Sequence, residues 1–150
     1  MAIAPISREP FIRLLDVAFA EFDGELSRRL AASAYDDIRP AHGCVFGHVD
    51  PDGSRLTDLA VSAHMTKQSV GEVVTDLEQR GYVERIPDPS DGRAKIIRLT
   101  ARGREAQALG WRLIDDIERE WAERFGAGRI AALREALEAV TAERLGAIPA

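Results

Sequence analysis

Apolar side chains recur every three or four positions at Phe11, Leu14, Leu15, Ala18, Phe19, Phe22, Leu26 and Leu30. That spacing predicts one long helix with one long buried face. Ser7 is placed as its N-cap and Pro10 in its first turn, where a missing N–H costs little. The helix is expected to end before Pro40, because the residue ahead of a proline avoids the α region. A short helix over about Pro40–Val49 follows, and Asp50-Pro51-Asp52-Gly53 reads as a turn. Thr57 is a suitable N-cap for a helix over Asp58–His64, with Leu56 as its hydrophobic staple. Thr66 caps a second, longer helix whose buried stripe is Val70, Val73, Val74 and Leu77 and whose left-handed stop is Gly81. Two strands come next, Tyr82–Pro87 and Lys95–Leu99. In the second, Ile97 and Leu99 point one way and Ile96 and Arg98 the other. Thr100 starts a long helix to about Phe125, Gly126-Ala127-Gly128 breaks it, and a last helix spans Arg129 to about Leu145.

Two helices in tandem followed by a charged hairpin are the order of a winged helix-turn-helix, which presents one helix to the major groove of DNA and a finger to the backbone. The expected fold is mostly α with a small β-hairpin wing, in a single domain spanning 1–150. Residues 40–100 form the DNA-binding lobe within it. The helices of 1–37 and 101–150 exceed what such a lobe needs. Their apolar stripes, Phe11 to Leu30 and Ile130, Leu133, Leu137, Val140 and Leu145, predict a homodimer held by those helices.

Composition narrows the class. At 150 residues with 45% hydrophobic side chains, the chain fits one domain with a proper core. No apolar run approaches the roughly 20 residues of a membrane helix, and MAIAPISREP lacks the apolar centre of a signal peptide, so no membrane partner is expected. The single cysteine, Cys44, fits a reducing compartment, with the cytoplasm as the expected location.

The net charge of −5 argues against a general polyanion binder, but its distribution matters more. Residues 1–50 and 105–150 each carry a net −3 and the segment between them +1, while Arg93 to Arg104 holds five basic side chains and no acidic one. Acidic ends with a basic hairpin suit a DNA reader.

With the stripe of the second motif helix turned inward, its opposite side carries Gln68, Gly71, Glu72, Thr75 and Gln79. Gln68 can pair with adenine and Glu72 can accept from the cytosine amino group. Gly71, lacking a side chain, lets the helix lie close to the groove. Thr66, Lys67 and Ser69 flank that face, where hydroxyls, an ammonium and free helix N–H groups suit phosphate. In the hairpin, Pro87 to Gly92 reads as a stiff turn in which Asp91 pairs with the Arg93 guanidinium and aims it at a minor groove. Lys95, Arg85 and Arg98 lie further back, toward phosphate, and Arg55 completes the DNA-facing set.

These residues carry a resemblance. The pair Leu59-Ala60, the helix from Thr66 to Gly81, the following Tyr82-Val83-Glu84-Arg85, and Asp88-Pro89-Ser90-Asp91-Gly92-Arg93 leading to Leu99-Thr100-Ala101-Arg102-Gly103 resemble the MarR (multiple antibiotic resistance regulator) family of bacterial transcription factors. The DxR…LTxxG run is the most specific part. The resemblance implies a homodimer on a pseudo-palindromic operator, most simply a repressor released by a small-molecule effector bound near the junction of dimer helices and DNA lobe. Arg13, Tyr35, His42, Phe46 and Trp111 are the candidate effector-binding residues. The chain departs from the pattern at Gly92, where the family often has a charged residue, and in the shortness of the Pro40–Val49 helix.

The residues also offer other chemistry. His42, Cys44 and His48 lie within seven positions beside Asp36 and Asp37, so a redox- or metal-responsive regulator is an alternative. Tetrahedral zinc would need ligands from another segment, and no metal or cofactor is expected. The run Cys44-Val45-Phe46 reads as core, which favours a buried thiol. No nucleophile elbow or phosphate loop is present, so the chain is not expected to be an enzyme. A winged helix that binds protein instead of DNA is a further alternative, against which the charge of Lys67, Arg93 and Lys95 speaks.

Overall fold

The computed structural model describes residues 8–145. In chain order the elements are α1 (Phe11–Ala31), a 3-10 turn (Pro40–His42), α2 (Gly43–Phe46), β1 (Ser54–Arg55), α3 (Leu56–Ser62), α4 (Lys67–Gln79), β2 (Val83–Asp88), β3 (Asp91–Leu99), α5 (Ala101–Phe125) and α6 (Ala127–Leu145). The chain is mostly helical with one small antiparallel sheet in the order β1-β3-β2. It divides into two compact units, residues 1–111 and 112–150.

The core of the first unit is built by the expected helical stripe and one face of the hairpin. Val70, Val74 and Leu77 of α4 are buried with Leu59 of α3, Val45 of α2, Tyr82, Val83, and Ile97 and Leu99 of β3; Val73 packs against this cluster half-exposed. The period-2 reading of β3 holds, since Ile97 and Leu99 are buried while Arg98 is exposed. Thr66 caps α4 as expected, its hydroxyl accepting the Ser69 N–H at 3.1 Å. Gly81 stops the chain in the left-handed region at φ 81°. Thr100 accepts the Gly103 N–H at 3.1 Å and opens α5.

Several boundaries differ from expectation, each for a local reason. The first helix starts after Pro10 and ends at Ala31, well short of Pro40; the expected cap Ser7 lies outside the described residues. The helix expected over Pro40–Val49 is a 3-10 turn followed by a single α-turn. Thr57 is not an N-cap: Ser54 and Arg55 pair with Ile97 and Ile96 as a strand, so Arg55 leaves the sheet extended and α3 begins at Leu56. Two residues are too few to show an alternating pattern, which is why β1 was missed. His64 is not helical but stands at φ 54° in the turn between α3 and α4. The hairpin is longer than expected: β3 starts at Asp91, Asp88 pairs with Asp91, and the tip is Pro89-Ser90 alone. Only Gly126, at φ 107°, separates the last two helices, and Ala127 and Gly128 already belong to α6.

The apolar face of α1 is uncovered in the single chain: none of its residues is buried, and Phe11 and Phe19 are 75% and 71% exposed. Ala18, Phe22, Leu26 and Leu30 are half-covered. A helical period shows that a face is apolar; it does not say which chain covers it. In the second unit, Arg134 of α6 forms an ion pair with Glu118 of α5, and the Trp121 ring meets Phe125 edge-on at 6.0 Å. Leu133, Leu137 and Val140 of α6 remain exposed; the Leu145 side chain lies outside the described residues. No described helix is long and apolar enough to cross a membrane.

Candidate nucleic-acid interface

The exposed side of α4 is a shallow open hollow of about 530 Å³, lined by Gln68, Gly71, Glu72, Thr75 and Gln79 and, from β2, by Arg85. Asp76 closes its inner edge. Five of the residues expected on the DNA-reading side of this helix thus share one concavity. Gly71 is half-buried, and a Cβ there would meet Leu56 Cδ2 at 3.6 Å, an ordinary contact. Thr75 has a more restricted role than the sequence implied. Its hydroxyl donates to the Gly71 carbonyl at 2.9 Å and accepts from Arg85 at 3.2 Å.

The basic residues of the lobe separate into two groups. Arg55 holds Asp88 at 2.8 Å, Arg85 holds Glu78 at 3.1 Å, and Arg98 holds Glu84 at 2.9 Å. Arg80 and Arg102 both reach Asp37. The Lys67, Arg93 and Lys95 side chains are exposed and have no hydrogen-bonding or ionic partner among the described residues. The first group braces the lobe; the second presents uncompensated positive charge. Arg55 and Arg85, both expected to face DNA, therefore carry structural ion pairs. Arg85 also ties the wing to α4.

At the wing, the expected Asp91–Arg93 ion pair is not formed. The Asp91 carboxylate instead accepts the Arg93 backbone N–H at 3.1 Å, which shapes the start of β3 and leaves the guanidinium open. The carboxylate that organises the tip is Asp88. It is buried and accepts the Ser90 N–H at 2.9 Å, the Ser90 hydroxyl at 2.8 Å and the Arg55 Nε. Those bonds, led by the Ser90 N–H, hold its carboxyl below the usual range. Ser69 and Thr66 are joined through their hydroxyls at 2.8 Å at the N-terminus of α4.

Behind the reading helix lies a polar network that sequence reasoning missed. His42 is buried and uses both ring nitrogens: Nδ1 accepts the Arg39 N–H at 3.0 Å, so Nε2 carries the proton and donates to Asp76 at 2.7 Å. Asp76 also accepts from Arg80 at 2.9 Å, and Arg80 donates to the Asp37 carbonyl at 3.0 Å. The Tyr82 hydroxyl donates to the Asp37 carboxylate and accepts from Arg102 at 3.0 Å. Asp76 and Asp37 are both held below their ordinary pKa, the first mainly by His42 and then Arg80, the second mainly by the Tyr82 hydroxyl. The i,i+4 spacing of Asp76 and Arg80 was the one legible sign. Apart from the local Arg39–His42 bond, the rest joins residues 20 to 65 positions apart in sequence.

Of the candidate effector residues, Tyr35 and Phe46 come together on the buried Tyr82 ring, at 6.3 and 5.8 Å between centroids. The Arg102 guanidinium lies over both tyrosines. His42 is committed to Asp76 and Arg39. Arg13 is exposed on α1 and pairs with Glu9 at 3.4 Å, and Trp111 is half-exposed on α5. The Cys44 thiol is half-buried and donates to the Ala41 carbonyl at 3.2 Å; burial pushes its pKa up, the opposite of what a reactive thiolate needs. Among the described residues, no group of three or more His, Cys, Asp or Glu side chains is arranged to hold a metal.

The network makes a pH prediction. Burial, followed by the Asp37 carboxylate, raises the Tyr82 phenol to about 12, while an unfolded tyrosine ionises near 10. A raised phenol pKa stabilises the fold below the unfolded value, and that contribution disappears as the pH climbs from about 10 to about 12. Tyr82→Phe should abolish this alkaline loss, read as melting temperature across that window; a parallel decline in both proteins would disprove the coupling.

Comparison with known proteins agrees with this geometry. Residues 36–94 match the model of the MarR family. The transcriptional regulator HosA of Escherichia coli O111:H- is 29% identical over 90 residues, which is 60% of this chain and 67% of HosA. The crystal structure of apo MarR from E. coli superposes with a TM-score of 0.74 at 23% identity, covering 89% of this chain and 98% of MarR. The repressor CouR bound to a 23-mer DNA duplex superposes at 0.75 and 24% identity, covering 93% and 97%. CouR from Rhodococcus jostii RHA1 bound to p-coumaroyl-CoA superposes at 0.69 and 22% identity, covering 85% and 88%. Motif, fold and relatives converge: residues 36–94 match the MarR family, and the chain has the winged helix-turn-helix fold of the solved MarR structures.

Proposed function

We propose that this chain is a homodimeric repressor that binds a pseudo-palindromic operator and is released by a small-molecule effector. One observation carries the DNA contact: the polar hollow of α4 and the unpaired Lys67, Arg93 and Lys95 belong to one winged lobe, whereas its other cations are neutralised by carboxylates or held by backbone. Residues 40–100 are the DNA-binding lobe; residues 1–37 and 101–150 supply the dimer contacts. Gln68 reads a base while Lys67 and Lys95 hold phosphate. Thr75, whose hydroxyl proton is committed to the Gly71 carbonyl, supports Arg85 and can meet DNA only as an acceptor or through its methyl group. Arg93 enters the minor groove. CouR, a fold relative described as a repressor and seen with both DNA and p-coumaroyl-CoA, supports the ligand-released mode. The aromatic surface of Tyr35 and Phe46 beside Arg102, at the edge of this lobe, is suited to an anionic aromatic group.

The test captures genomic duplex fragments on the purified protein, sequences them, and measures affinity for the enriched site at several salt concentrations. Replacing Lys67 by Ala should weaken enriched and random duplexes alike and flatten the salt dependence by about one phosphate contact. Arg93→Lys keeps the charge but loses the planar fork, so it should retain non-specific affinity and lose preference for A·T-rich flanks. An unchanged A·T-to-G·C flank ratio in Arg93→Lys would mean that the wing only holds the backbone. No enrichment of any fragment would reject the function itself.

A further inference from the structure

The chemistry of the α4 hollow constrains which bases it accepts, an inference that rests on the DNA-reading role proposed above. Glu72 is exposed, lines the hollow and has no partner among the described residues. Ionised carboxylates accept hydrogen bonds and never donate. Asp76 adds a second carboxylate at the inner edge, fixed there by His42 and Arg80. Thr75 has spent its only proton on the Gly71 carbonyl, so toward a base its hydroxyl is another acceptor. The arginines that ordinarily read guanine are engaged. Arg85 is held by Glu78 and Thr75, and Arg80 by Asp76 and the Asp37 carbonyl. The unpaired cations, Lys67, Arg93 and Lys95, do not line the hollow. The donors that remain in it without a partner are the side-chain amides of Gln68 and Gln79.

In the major groove only cytosine N4 and adenine N6 offer donors; guanine presents O6 and N7, and thymine O4 and a methyl group. We infer that the α4 hollow selects half-sites whose contacted strand presents amino groups, with cytosine opposite Glu72 and adenine opposite Gln68, and that it disfavours guanine at both positions. The carboxylates also lower affinity for duplex DNA in general, since phosphate repels them. Specificity here comes at the expense of non-specific binding, consistent with the chain's net −5 charge.

The experiment selects from a pool of double-stranded oligonucleotides with a randomised core, using the full-length protein, and measures binding of the winning duplex and its single-pair variants. Wild type should lose about ten- to a hundredfold affinity when the C·G pair facing Glu72 becomes T·A. Glu72→Ala should bring that discrimination below about threefold while binding random duplex at least as tightly as wild type. Glu72→Gln keeps the shape but adds an amide donor, and should move the preference at that position to A·T. Glu72 is exposed and unpaired, so an unchanged melting temperature will show that both variants fold. A defined selected sequence whose preference at every position survives Glu72→Ala, or one with guanine facing Glu72, overturns this inference while leaving DNA reading intact. Failure to select any sequence overturns the DNA-reading proposal and this inference together.

Discussion

Replacing Gly103 by alanine should destabilise this protein by about 3 kcal/mol or more, lowering the melting temperature by roughly 6–12 °C. A Cβ at this position would stand 2.0 Å from the Tyr82 carbonyl oxygen, 3.0 Å from its carbon and 3.3 Å from Leu99 Cβ. The obstacle is backbone and cannot rotate away. That same carbonyl accepts the Thr100 N–H at 3.0 Å, and the Thr100 hydroxyl donates to the Gly81 carbonyl at 2.6 Å, so the first turn of α5 is fastened to the end of the reading helix. Alanine would gain about 1 kcal/mol of helix propensity, which the clash exceeds. Gly110→Ala is the matched control. It lies in the same helix with nothing within 4 Å of its added Cβ, and should melt at or slightly above wild type. Equal melting of the two variants would show that α5 does not need this close approach.

Leu15→Glu combined with Phe19→Glu should convert the proposed dimer into monomers. These side chains are 40% and 71% exposed in the single chain, on a helix without one buried residue. Burying a large apolar side chain contributes about 1.5–3 kcal/mol. A two-fold interface counts each residue twice, and only the still-exposed fractions remain to be buried, so the four side chains together contribute roughly 3–7 kcal/mol to association. Light scattering at micromolar concentration should give about twice 16.5 kDa for wild type and 16.5 kDa for the variant. The core of the DNA-binding lobe, built from α2 to β3, should remain folded by circular dichroism, because neither residue belongs to it. A wild-type mass of 16.5 kDa would remove the dimer. A variant that keeps the doubled mass would move the interface away from this half of α1.

Much of the lobe was legible before any coordinates. Val70, Val74 and Leu77 on one side of a helix, Thr66 before it and Gly81 after it are local signals, because cap, stripe and stop all act within a few residues. The alternation of Ile96 to Leu99 likewise declared one face of β3. The same stripe, read from its other side, located Gln68, Gly71, Glu72 and Thr75, which do share one hollow.

What the tertiary structure alone decided is which side chains are committed. Lys67 and Arg93 carry the same charge as Arg55 and Arg85, yet the second pair is neutralised by Asp88 and Glu78. The spacing pairs Asp91 with the Arg93 guanidinium, yet Asp91 takes the Arg93 backbone N–H instead, because β3 begins at that residue. His42 read as a ligand candidate and is a buried strut to Asp76, 34 positions away. Helical period and capping are short-range effects that leave a mark in neighbouring residues. An ion pair or a buried hydrogen bond depends on which distant segment folds alongside, and no local pattern records that partner.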